Sequence, residues 1–191
     1  MSVAAAAAGR PRSVEADVAI LESAIGLFCE LGYDGLSMER VAVDAGVSKT
    51  TIYRRYPTKL DLVMAAIHQL PDGIVPAPDT GNLRSDLLAI SQGLLTMLTK
   101  STVGKAIPVT LAAKTRNPEL AEAHEAFVRS RREITTGVIQ RGIDRGELSA
   151  DADPWIVSDL ITGAIFMRVF VTGQPVTREY LEAMIDQVIG V

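Results

Sequence analysis

Apolar positions along this chain recur at intervals of three and four, and no stretch alternates with the period of two that a half-buried strand needs. The pattern predicts an all-α protein. Ile20, Ala24, Leu27, Phe28 and Leu31 form the stripe of a first helix. Ser13 stands ahead of it as an N-cap, with Glu15 and Asp17 in the first turn, where the helix dipole favours acids. Gly32 is its stop. Met38, Val41, Ala42 and Ala45 share one face of a short second helix that Ser37 caps. Gly46 supplies a turn, Ser48 caps a third helix running to about Tyr56, and Pro57 ends it, because a residue before proline resists helical geometry. Thr58 with Asp61 three positions on resembles a capping box, which opens a fourth helix through Leu70.

Residues 71–82, "PDGIVPAPDTGN", are rich in Pro, Gly and Asp and predict a boundary. Helical patterns then follow near 83–103, 105–115, 118–145, 154–172 and 177–189. Asn117-Pro118 and Asp153-Pro154 each join an N-cap to a proline at the first helical position, and Thr177 caps the last helix. Pro108 is expected to kink or begin the second of them. The predicted division is an arm over 1–12, basic and alanine-rich, a three-helix head over 13–70, and a helical bundle over 71–191.

The 154–172 segment is apolar nearly all round: Trp155, Ile156, Leu160, Ile161, Ile165, Phe166, Met167, Val169 and Phe170. Such a helix must be covered on several sides, either at the centre of a monomer or against a partner. Ser158, Asp159, Thr162 and Arg168 interrupt it, so it reads as a buried helix rather than a membrane span. The opening "MSVAAAAAGRPRS" lacks a basic region ahead of its alanines and reads as no signal peptide, so the expected location is the cytoplasm.

Composition narrows the chemistry. Apolar residues make up 48% and charged residues 22% of 191, as in ordinary globular proteins. Cys29 is the single cysteine, and "AIGLFCELG" sets it as a small buried apolar residue. His68 and His124 lie far apart with no ligand pattern beside them. No metal, cofactor or catalytic group is expected, and the chain does not read as an enzyme.

Charge points elsewhere. The chain carries a net −4, yet residues 46–59, "GVSKTTIYRRYPTK", hold four bases and no acid. That concentration predicts a localised anionic partner. Short helix, glycine turn, short helix over 37–56 is the helix-turn-helix arrangement. Ile52 and Tyr56 fall on one face and pack inward, which turns Lys49, Thr50, Tyr53 and Arg54 outward. Donors, threonine methyls and an amphipathic aromatic suit base edges and thymine methyls in a major groove. Ser37 and Ser48 stand at helix starts, where free N–H groups suit phosphate, and Thr51, Arg55 and Lys59 flank the same face. "GRPR" at 9–12 is similar to minor-groove hooks.

"LSMERVAVDAGVSKTTIYRRYPTKLDLVMAAI" resembles the DNA-binding segment of TetR-family transcriptional regulators, over roughly residues 14–67. The layout beyond resembles that family's ligand-binding and dimerisation domain, and "RGELSADADPW" is similar to one subgroup. The resemblance implies base or groove contacts for Lys49, Thr50 and Tyr53, and phosphate contacts for Ser37, Thr51, Arg55 and Lys59. The chain departs from the common pattern in Arg54-Arg55 together and in Tyr56 for phenylalanine. The resemblance also implies a homodimer on an inverted-repeat operator, its interface formed by the 154–172 helix and the last one through Trp155, Ile161, Ile165, Leu181, Met184, Ile185 and Val188. It implies a small-molecule effector cavity, for which Met97, Phe127 and Phe166 are candidate walls and His124 and Arg131 candidate polar contacts. The same five residues also read as plain core or surface. A DNA-organising or division-control protein, or a helical carrier or enzyme, are the alternative readings of the chain.

Overall fold

The computed structural model describes residues 14–68 and 77–190. Ser13, Leu70 and the arm over 1–12 lie outside the described residues. Within them the fold is helical throughout. The head is built from α1 (Val14–Gly35), α2 (Met38–Asp44), α3 (Lys49–Arg55) and α4 (Lys59–His68). The remainder comprises α5 (Leu83–Lys100), α6 (Thr102–Lys114), α7 (Pro118–Asp144), α8 (Pro154–Phe166), a π-helical stretch (Met167–Thr172) and α9 (Arg178–Ile189).

The expected stops and caps are present. Gly32 has φ 71° and ψ 178°, a conformation that strains any other residue, and it kinks α1 one turn before its end. Ser37 Oγ accepts from Arg40 N at 3.3 Å and Ser48 Oγ from Thr51 N at 3.1 Å. Asp153 caps α8 through Trp155 N, and Thr177 caps α9 through Tyr180 N. Asn117 behaves differently: its side chain donates back to Ala113 O at the end of α6 instead of capping α7. Pro108 lies inside α6 rather than at its start.

Two buried clusters organise the chain. The first joins Ile20, Ala24, Phe28, Val41, Ile52 and Leu62, and it also takes in Ala106 of α6 and Leu120 of α7. The head is therefore seated on the bundle, not strung from it. The second joins Leu83, Leu87, Val138, Ile139, Ile161, Ile165, Leu181 and Ile185. Cys29 packs against the first cluster, and burial raises its thiol pKa, as suits a core residue.

Polar fastenings fix where α5 begins. Gly146, at φ 76°, turns the chain after α7 so that Glu147 reaches back to accept from Leu83 N at 2.6 Å. Arg145 holds that carboxylate, and Arg141 donates to Pro78 O at 2.8 Å. The wholly buried Asp86 accepts from Thr80 N and Thr80 Oγ1 at 3.0 and 2.7 Å. The "RGEL" stretch thus has a structural explanation: turn, clamp and support for the N-terminus of α5. Arg84 adds a two-pronged pair with Asp186 of α9, at 2.6 and 2.9 Å.

The 154–172 segment departs from a regular helix and, within one chain, leaves a side open. It changes from α to π geometry at Met167. It is also not buried on all sides. Val157, Ser158, Ile161 and Ile165 face the core, while Ile156, Leu160, Met167 and Val171 are 59, 55, 52 and 72% exposed. Pro154–Thr172 is long and apolar enough to cross a bilayer. Its charges nonetheless have partners in the fold: Asp159 pairs with Arg132, and Arg168 donates to Pro175 O at 2.7 Å and covers the Tyr180 ring.

Candidate nucleic-acid interface

The head positions its reading surface from the inside out. Phe28, Ile20 and Ala24 present a flat apolar face on α1, against which Val41 of α2 and Ile52 of α3 are fully buried. Ser23 Oγ donates to Val41 O at 3.5 Å, tying α2 to α1. Gly46, at φ 65°, turns the chain so that α3 crosses α2, and Val47 N returns a bond to Ala42 O at 2.9 Å. Ser48 Oγ also shares a hydrogen with Thr51 Oγ1 at 2.8 Å, which fixes the first turn of α3.

With Ile52 anchored, helical geometry points Lys49, Thr50, Tyr53 and Arg54 to solvent, and all four are exposed. Lys49 and Tyr53 converge on one acid of α2, Glu39, with Tyr53 donating to Oε1 at 3.2 Å and Lys49 Nζ 3.7 Å from the same oxygen. Arg54 forms no ion pair among the described residues. Thr58 and Asp61 form the reciprocal capping box expected at the start of α4, at 3.0 and 3.1 Å.

Arg55 and Lys59, both expected at phosphates, are instead engaged with α1. Arg55 is the sharper correction. Its side chain is 8% exposed and its Nε lies 3.0 Å from Asp17 Oδ1, so it braces α3 against α1. One helical step from Arg54 rotates it about 100° off the outer face, and burial removes it from reach of phosphate. Lys59 donates to Tyr33 O at 2.8 Å and sits over the Tyr33 ring at 4.4 Å, at the C-terminal end of α1. That end is where a cation is favoured by the dipole.

Comparison with known proteins decides the family. The description "Bacterial regulatory proteins, tetR family" matches residues 20–66, and "Tetracyclin repressor-like, C-terminal domain" matches 77–188. The chain belongs to the TetR family of transcriptional regulators. It is 34% identical over 180 residues to the uncharacterized HTH-type transcriptional regulator Rv1556 of Mycobacterium tuberculosis, covering 94% of this chain and 86% of that one. It is 33% identical to YdeS of Bacillus subtilis, with 93% and 89% covered, and 29% identical to the DNA-binding transcriptional repressor TetR of Mycobacteroides abscessus, with 90% of each covered. Among solved structures, the TetR family regulator SCO0332 superposes with a TM-score of 0.71 at 27% identity, covering 92% of this chain and 97% of that one. The protein is a DNA-binding transcriptional regulator of all-α fold.

As a TetR-family regulator, it shows the remaining expected site residues in a changed arrangement. Of the seven interface candidates, Ile161, Ile165, Leu181 and Ile185 are at most 2% exposed and form the chain's own core. They are corrected to internal packing. Trp155 is exposed, and Met184 and Val188 are half-buried. The outward stripe is instead Ile156, Leu160, Gly163, Met167 and Val171. Ile161 and Ile165 were open to misassignment because a helix apolar nearly all round carries no marker of which side meets the chain's own core.

The five cavity candidates are divided. Met97 and Phe166 pack against the second cluster and Phe127 against the first. Phe127 stacks on His68 of α4 at 4.3 Å, with Arg131 5.9 Å from the same ring. Burial and the nearby Arg131 lower the His68 pKa, and burial with Lys114 lowers that of His124, whose Nδ1 is enclosed without a hydrogen bond among the described residues. A groove of about 430 Å³ lies elsewhere, lined in part by Leu95, Lys100, Arg168, Val169, Gln174 and Val176, and by none of the five.

Proposed function

We propose that the protein is a ligand-responsive repressor that binds an inverted-repeat operator as a homodimer. The observation that carries this reading is the outer face of α3, where Lys49, Thr50, Tyr53 and Arg54 stand exposed on a helix that itself contains no acid and is anchored by Ile52. In this reading Lys49, Thr50 and Tyr53 meet base edges. Arg54, Thr51 and the amides at the starts of α2 and α3, beside Ser37 and Ser48, meet phosphates. Lys59 reaches phosphate by exchanging its bond to Tyr33 O. Arg55 has no contact with DNA; it holds α3 at its angle. The repressor role rests on the named relative from Mycobacteroides abscessus.

The dimer reading rests on the outward stripe of α8 and the π-helical stretch, with Trp155, Met184 and Val188 at its margins. A contiguous exposed apolar face of this kind calls for a covering surface. Two heads in one dimer would read half-sites one helical turn of DNA, or a multiple, apart. The effector is a small molecule bound within the bundle, and it acts by favouring a dimer whose heads are wrongly spaced. The protein works in the cytoplasm and turns over no substrate.

In vitro selection from random duplexes, followed by titration at several salt concentrations, tests the reading. The expected result is an enriched palindrome and binding that weakens steeply with salt. Unchanged affinity for that palindrome after Lys49→Ala, Tyr53→Ala and Lys59→Ala together refutes it.

A further inference from the structure

The two outermost reading residues share an acid on the neighbouring helix. Tyr53 donates to Glu39 Oε1 at 3.2 Å, and Lys49 Nζ stands 3.7 Å from the same atom. Glu39 lies in the first turn of α2 and is surface-placed, so its carboxylate is on the side of the head that α3 presents outward. Its own backbone N–H and Lys49 lower its pKa, which keeps it ionised at neutral pH.

A carboxylate on a face meant for polyanionic DNA is a cost to general affinity, since it repels phosphates and neutralises Lys49. Its first-turn position favours α2 through the helix dipole, and its contacts with two reading residues give it a second role in discrimination. Two properties follow from its position. It engages Lys49 and Tyr53 together, so each leaves a carboxylate in order to follow the nearest phosphate. It is also an acceptor, and the cytosine N4 amine is the donor in the major groove that suits a carboxylate. A carboxylate has about four lone-pair sites, so Tyr53, Lys49 and its own N–H leave room for another donor.

We infer that Glu39 is a specificity-determining residue of the reading face, which lowers binding to DNA in general and selects half-sites presenting a cytosine amine opposite α2. This rests on the proposed reading of α3 as the DNA contact. The structure supplies a matched control. Asp44, the other exposed acid of α2, makes no hydrogen bond or ion pair with α3.

The experiment uses the full-length protein and its Glu39→Gln, Glu39→Ala and Asp44→Asn variants. Each is put through selection from random duplexes and titrated against the wild-type consensus and a random-sequence duplex, with thermal melts to verify folding. For both Glu39 variants, binding to the random duplex is expected to tighten severalfold. The ratio of consensus to random affinity is expected to fall by roughly tenfold or more, as for loss of one base-reading pair. The cytosine preference at one position per half-site should disappear. Asp44→Asn should leave the ratio and the consensus as they are. Equal ratios and an unchanged consensus in the Glu39 variants overturn the inference while leaving DNA reading intact. The same loss in Asp44→Asn overturns it by showing a bulk charge effect. If the wild type enriches no sequence at all, the reading of α3 fails first, and the inference falls with it.

Discussion

Replacing Arg55 with alanine separates two roles that a basic residue beside a reading helix can have. The Arg55 side chain is 8% exposed, and its Nε lies 3.0 Å from Asp17 Oδ1, which is itself 24% exposed. Removing one partner of a buried pair costs roughly 3–5 kcal/mol, because the other charge is left without compensation. Asp17 retains access to water, so the low end, about 3 kcal/mol, applies. For a chain of this size about 1 kcal/mol moves Tm by roughly 2–4 °C, so Arg55→Ala should melt about 6–12 °C lower at matched protein concentration. Each phosphate contact contributes about 0.9 to the slope of log affinity against log salt. Arg55→Ala should therefore lower stability while leaving that slope unchanged at a temperature where the head is folded. Replacing the pair together by Asp17→Leu and Arg55→Met should restore most of the stability, as apolar packing often substitutes for a buried pair. A slope shallower by about one, with Tm within about 2 °C of the parent, would refute the bracing role and return Arg55 to the phosphate backbone.

Other outcomes follow from particular contacts. Lys49→Ala should weaken operator binding and relax the base preference at its position without moving Tm, measured by fluorescence anisotropy against the consensus and single-base variants of it. Leu160→Glu should shift the sedimenting species toward monomer while the far-ultraviolet spectrum stays helical, because Leu160 is 55% exposed. A glutamate at the fully buried Ile165 should unfold the bundle. Gly104→Ala should destabilise, since its Cβ would lie 2.0 Å from Leu98 O, whereas Gly93→Ala, with open space around it, should stabilise by roughly 0.5–1 kcal/mol in thermal melts. Both histidines have pKa values lowered in the fold, so the unfolded chain binds more protons below its ordinary value near 6.5. Their stabilisation is complete above that pH and is lost as pH falls through it, so His68→Gln with His124→Gln should flatten Tm between about pH 5 and 7.

Much of the head was legible because its signals are local. Ser37, Ser48, Gly32, Gly46 and the Thr58/Asp61 box each act within four residues, and helical spacing around Ile52 sufficed to turn Lys49, Thr50, Tyr53 and Arg54 outward. What escaped was everything decided across long sequence separations. Arg55 meets Asp17 from thirty-eight positions away, and its charge looked the same as that of its exposed neighbour. Glu39 carries no mark in the sequence that sets it apart, and only the packing of α3 on α2 brings Tyr53 and Lys49 to it. The clamp of Glu147 on Leu83 N, the close seat of Gly142 against Leu83 and the inward side of α8 depend likewise on which helices become neighbours. Hydrophobicity alone could not choose a side of α8, because it is apolar nearly all round and one of its few polar residues, Ser158, faces inward.

The π-helical stretch from Met167 to Thr172 has a bearing on how relatives should be aligned. A turn closed between residues five apart holds one residue more than an α-turn. A relative lacking one residue here would wind the stretch as regular α-helix and keep both ends in place. Length variation among such relatives would then fall inside a helix rather than in the connection before α9. A comparison that forbids gaps within helices would misplace Arg168, Val169 and every position after them by one, exchanging residues that line the groove for residues that face away from it.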